Sequence, residues 1–198
     1  MQRKHSALVG ARALVLERSV PLALGAIIAS ILLNGALSFV NTALSVPLFL
    51  DTIGTCIVGA LFGPIAGGLA GVGTNLFMEV IYGFEGVYWL FGIVNGATGV
   101  IVGLLVAKGL FRTAGHLAAA IALIAAVNAA LGAFFATVAF GGSTGTEVDF
   151  IATGLLLTGK PMMWAAFLAR VPVNLVDKAV AVIAAYAAYR AVFLHNRD

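Results

Sequence analysis

The run from Val20 to Thr42, VPLALGAIIASILLNGALSFVNT, carries no charged side chain over 23 positions. A helix needs about 20 predominantly apolar residues to cross the hydrocarbon core of a bilayer, so this run reads as a membrane-spanning helix. Ser19 stands at the N-cap position, and Pro21 falls in the first turn, where a missing N–H costs no hydrogen bond. The run is too long for the apolar region of a cleaved signal peptide, and no small-residue cleavage site follows it.

Working outward, similar apolar stretches fill most of the chain. Six crossings are expected, over about residues 20–42, 52–62, 65–81, 87–107, 116–140 and 161–189. The fold class is an all-α membrane protein: a six-helix transmembrane bundle, a single integral domain over 1–198, with both termini cytoplasmic. Composition agrees, since 62% of the residues are hydrophobic and only 10% charged, against about 45–50% and about 25% in soluble domains. The second and third stretches are short, and Gly63-Pro64 reads as the tight turn between them. Gly63, Gly67, Gly68, Gly71 and Gly73 suit a helix whose backbone approaches its partners closely. Residues 147–159 are too few to span and are expected to form a loop with a small interfacial or re-entrant helix. Residues 1–18 are expected to lie on the surface as a basic amphipathic helix.

Charge placement orients the bundle. Arg3, Lys4, Arg12, Arg18, Lys108, Arg112, Arg190 and Arg197, eight of the eleven basic residues, fall on one side of a six-crossing topology, which is therefore cytoplasmic. Asp51, Glu85, Glu147 and Asp149 fall on the other. His5, His116 and His195 are placed at cytoplasmic ends as surface residues.

The net charge of +3 is too small and dispersed for nucleic-acid binding. The single Cys56 cannot form an internal disulfide, no Cys/His cluster has metal-ligand spacing, and no cofactor is implied. No G-x-S-x-G elbow, H-E-x-x-H pair or P-loop occurs, so neither catalysis nor ATP hydrolysis is expected of this chain. Energy for any active transport must come from another chain.

Polar side chains inside a span usually face the bundle interior or a water-filled cavity, which makes them the best site candidates. Asn75, Glu79, Asn95 and Arg170 fall in the outer half of the bilayer when about 1.5 Å is counted per residue. With Asp51 and Lys160 in the outer loops and Asn174 one turn beyond Arg170, they are expected to line a pocket entered from outside. Arg170, Asn174 and Asp177 form one stripe on the last helix. Asp177 and Lys178 lie deeper and suit charge compensation or coupling; Asn128 stands alone on the fifth helix. Tyr82, Trp89 and Trp164 are compatible either with an aromatic belt or with stacking on a ligand. Gly25, Ala26, Ala29 and Ser30 give small-xxx-small spacing on the first helix, open to packing within the subunit or against a partner.

At Pro47-Leu-Phe-Leu-Asp51-Thr-Ile-Gly-Thr55, Leu61-Phe-Gly-Pro64-Ile-Ala-Gly67-Gly-Leu-Ala-Gly71 and Arg170-Val-Pro172-Val-Asn174-Leu-Val-Asp177-Lys178, the sequence resembles the S components of energy-coupling factor transporters. The resemblance implies a six-helix subunit of a bacterial or archaeal cytoplasmic membrane. Such a subunit captures a vitamin or similar micronutrient from outside and works with a T component and two cytosolic ATPases. It also implies that small residues of the first helix contact the T component, although a strict alanine pair is missing here. A sensory or receptor module signalling through a partner, and a self-sufficient carrier, are the alternatives; no similarity between the two halves supports the carrier.

Overall fold

The structure, a computed structural model, describes residues 19–84 and 86–193. The expected surface helix at 1–18, Glu85, His5, His195 and Arg197 lie outside the described residues. Seven helices and no strand occur among the described residues: α1 (Val20–Ala43), α2 (Ile53–Phe62), α3 (Pro64–Ile81), α4 (Tyr88–Ala107), α5 (Ala114–Phe140), α6 (Val148–Leu157) and α7 (Met162–Phe193). Five of them, α1, α3, α4, α5 and α7, are long and apolar enough to cross a membrane. Their outward faces carry Leu22, Ile28, Phe39, Ile65, Leu69 and Ile183, all more than half exposed except Leu22, which is 50% exposed. This is the surface of a multi-pass membrane protein.

α2, the expected second crossing, is by itself shorter than a span. Its ten residues rise only about 15 Å, half of a hydrocarbon core about 30 Å thick. Ahead of it, residues 44–52 run without regular structure between α1, α4 and α7. Non-helical backbone inside a bundle is tolerated only where protein groups replace water as hydrogen-bond partners. Here three side chains do so. Asn41 Nδ2 donates to the carbonyls of Val46 (3.2 Å) and Leu48 (2.7 Å). Asn95 Nδ2 donates to the Asp51 carbonyl at 2.9 Å. Asp177 Oδ1 accepts from the N–H groups of Phe49 (3.3 Å) and Leu50 (2.7 Å). Leu50 is held at φ +53°, a left-handed conformation costing a non-glycine residue about 1–2 kcal/mol.

Gly63, at φ +89°, joins α2 to α3, with Pro64 opening the latter. α3 and α4 then pack antiparallel along a seam of glycines. A Cβ on Gly67 would lie 2.7 Å from both Gly59 Cα and the Gly99 carbonyl oxygen, so the backbones of α2, α3 and α4 meet at one point. Gly71 abuts the backbone of Asn95, and Gly103 that of Pro64. Only small residues permit this approach.

Asn34, fully buried on α1, ties three helices together: Nδ2 donates to Thr55 Oγ1 and Thr74 Oγ1, each at 3.0 Å, and Oδ1 accepts from Gly54 N at 2.8 Å. Asn34→Ala would strand the buried Gly54 N–H and the Thr55 hydroxyl, while Thr74 keeps its bond to the Ala70 carbonyl, and should lower unfolding stability by about 1–3 kcal/mol, read as a drop in the thermal midpoint in detergent.

At one end of the bundle Cys56, Val102, Phe111, Ile124, Val182, Tyr189 and Phe193 form a closed apolar core between α2, α4, α5 and α7. Lys108 and Arg112 stand at that end, and Thr113 caps α5 by accepting from His116 N at 3.2 Å. α6 is a helix of ten residues whose Val148 and Ala152 pack on Ala169 and Val173 of α7, while Phe150 and Leu157 point outward. Toward the opposite end, where the loops at 44–52 and 141–147 enter, the interior is lined by polar as well as apolar side chains.

Candidate functional site

That polar interior encloses a cavity of about 130 Å³. Its walls come from α1, α3, α4, α5 and α7 and from both loops, including Asn41, Phe49, Asp51, Asn75, Tyr88, Phe91, Asn95, Asn128, Thr144, Glu147, Arg170, Asn174 and Lys178. Of the residues expected from sequence to line a pocket, Asp51, Asn75, Asn95, Arg170 and Asn174 are brought together here.

Arg170 is the decisive group. It lies eight residues into α7 and is 2% exposed. Its guanidinium packs on α5, where the missing side chain of Gly132 makes room: a Cβ there would be 3.2 Å from Arg170 Cδ. Nη1 donates to the Ala166 carbonyl at 3.2 Å and Nη2 to Thr144 Oγ1 at 3.4 Å. No carboxylate lies within ion-pair distance among the described residues. Asp149 attracts it from farther away, but that carboxylate is engaged by Ser143 Oγ and by the N–H groups of Thr144, Gly145 and Thr146. A buried cation without a counter-ion is costly unless something else supplies the negative charge.

Asn75 and Asn95 are equally incomplete. Both are nearly fully buried at the cavity wall, and each has an amide oxygen without a hydrogen-bond partner. Asn174, by contrast, donates to the Arg170 carbonyl at 2.9 Å, and Asn128 exchanges hydrogen bonds with Thr98 on α4.

Lys178 lines the cavity but is already engaged. Its Nζ stands 2.5 Å from Asp177 Oδ2 and 2.9 Å from Thr52 Oγ1. Asp177 thus neutralises a lysine with one oxygen and holds the 44–52 segment with the other, which makes it a structural group.

Glu79 does not line the cavity. Its carboxylate turns to the N–H groups of Gly86, Tyr88 (2.8 Å) and Trp89 (3.1 Å), filling the orphan donors at the start of α4. An acid four residues from Asn75 on one helix face suggested a shared site, but near the end of α3 the following helix N-terminus captures it. Glu79→Ala should therefore lower stability by about 1–3 kcal/mol and leave ligand affinity within about twofold, measured by thermal unfolding and titration. Tyr82 stacks on Tyr88 with centroids 4.9 Å apart. Trp89 and Trp164 are at least half exposed and Lys160 is exposed, all away from the cavity.

Sequence reasoning left Phe91, Thr144 and Glu147 out of the pocket and had no role for Asn128. Of these only Asn128 carried a signal, as a lone amide within an apolar helix.

Fold and site together define a multi-pass helical membrane protein with a cavity of about 130 Å³, walled by polar and apolar side chains, toward one end of the bundle. Compared with protein-family models, curated proteins and solved structures, the chain finds no match in any of the three.

Proposed function

We propose that the chain is the substrate-capture subunit, the S component, of an energy-coupling factor importer. The observation that carries this reading is the cavity: a buried guanidinium without a counter-ion among the described residues and three amide oxygens without a donor, set in a bundle whose opposite end is closed by apolar packing. Such an arrangement binds a solute from one side and offers no continuous path through. In this reading residues 44–52 and α2 together make the sixth crossing, both termini are cytoplasmic, and the cavity opens outward from a bacterial or archaeal membrane. The chain has no catalytic part; a T component and two cytosolic ATPases drive release.

Within the first helix, Gly25 and Ala29 are exposed one turn apart, and nothing lies within 4 Å of a Cβ on Gly25. Ser30 belongs to the inner face, pressed on Gly54 of α2, and Ala26 packs half-buried toward Val58, Ala66 and Ala70. The docking face for a T component is thus Gly25 and Ala29. Gly25→Leu should abolish co-purification with the T component and ATPases while the thermal midpoint of the isolated subunit stays unchanged. Failure of the unmodified chain to co-purify with any such module would overturn the reading.

Topology is tested separately, in a Cys56→Ala background. A membrane-impermeant thiol probe should label Ser143→Cys and not Thr113→Cys; the reverse pattern would invert the orientation.

A further inference from the structure

The charges and unpaired groups of the cavity restrict what can fill it. The Arg170 guanidinium stands at its wall, hydrogen-bonded among the described residues to the Ala166 carbonyl and the Thr144 hydroxyl. The same wall carries acceptors: the Asp51 carboxylate, which forms no ion pair among the described residues, and the amide oxygens of Asn41, Asn75 and Asn95, which have no donor. Glu147, also at the wall and without an ion pair among the described residues, adds a second acid. Lys178 is matched by Asp177 and contributes no free charge.

A solute that completes these groups must bring negative charge to Arg170 and N–H donors to the acceptors. A purely cationic solute would leave Arg170 uncompensated and repelled. A purely anionic one would meet Asp51 and Glu147. Tyr88, Phe91 and Phe49 supply apolar wall that suits a short hydrocarbon or ring portion. Resting on the capture reading, we infer that the ligand is a small nitrogenous acid: its carboxylate is held by Arg170 and Thr144, and its N–H group, an amine, amide or ureido nitrogen, is held by Asp51, Asn75 and Asn95. A planar guanidinium holds a carboxylate through two parallel hydrogen bonds, which gives orientation as well as attraction.

The test uses matched probes on the purified full chain in detergent, read by thermal shift and confirmed by titration calorimetry. The acids are biotin, pantothenate and 4-aminobenzoate. Their counterparts are biotin methyl ester and pantothenol, which lack the carboxylate, lipoate, which lacks the N–H, and thiamine, a cation without an acid. At least one nitrogenous acid should raise the midpoint, with its neutral derivative and lipoate at least tenfold weaker. Arg170→Gln should weaken that acid at least tenfold, leave the neutral derivative unchanged, and Arg170→Lys should recover part of the loss. The comparison of acid with ester needs no variant and so survives misfolding of either one. Binding of thiamine or a neutral derivative with the acids inert would overturn the ligand class and leave the capture reading standing. Absence of any shift with all three acids would also overturn it, while co-purification with the ATPase module independently decides the capture reading.

Discussion

Asp177→Ala is expected to leave the protein barely folded, with a loss of about 3–5 kcal/mol, the range for removing one partner of a buried ion pair. Two deficits arise at once. Lys178, 1% exposed, loses its counter-ion, and the N–H groups of Phe49 and Leu50 lose their acceptor in an irregular segment otherwise held by Asn41 and Asn95. Leu50 would then relax from its left-handed conformation. Asp177→Asn separates the two effects, because an amide oxygen can still accept from Leu50 while the charge is gone. Adding Lys178→Met to Asp177→Asn should recover at least half of the lost stability, since the unmatched charge is removed with it. Unfolding in a mixed-micelle denaturant titration measures each variant. A loss below about 1 kcal/mol for Asp177→Ala would show that the 44–52 segment does not depend on this carboxylate.

Gly67→Leu and Gly99→Leu are the second pair of large effects. A Cβ at either position meets backbone of a neighbouring helix, with 2.7 Å from Gly67 to Gly59 Cα, and backbone cannot rotate away as a side chain can. Overpacking commonly costs about 1–3 kcal/mol, and more where the neighbour cannot yield. Here the loss should reach at least ~3 kcal/mol or prevent accumulation of monodisperse protein. Gly25→Ala is the matched control. With open space around it, the substitution should be neutral or add up to about 1 kcal/mol through helix propensity. Equal losses at Gly67 and Gly25 would mean that the α2–α3–α4 contact is looser than described.

Much of the site could be read from residue type alone. Arg170, Asn174, Asn75 and Asn95 stand out because polar groups are rare inside apolar helices, and a low-dielectric surrounding forces them inward. Glu79 shows where that argument stops. Its residue type is as informative as that of Arg170, but its use depends on where α4 begins, nine residues downstream of it in the chain and not fixed by any pattern on α3. Small-residue spacing on α1 was similarly incomplete: four residues share the pattern, yet Ser30 faces inward and Gly25 outward because helix rotation is set by Asn34 binding Thr55 and Thr74.

The sequence by itself determined that this is an all-helical chain with several apolar stretches of membrane-spanning length, that Gly63-Pro64 breaks α2 from α3, and that a handful of polar residues must be buried. Those properties follow from composition and local propensity, which act over a turn or two of helix. Tertiary structure alone decided that residues 44–52 enter the bundle unwound, that Asp177 serves as their acceptor, and that Arg170, without a counter-ion among the described residues, shares a cavity with three amide oxygens that lack a donor. The reason is physical: a buried polar group is satisfied or not by partners that lie 40 to 128 positions away in the chain, as Thr74 is from Asn34 and Phe49 from Asp177, and no local pattern carries that information.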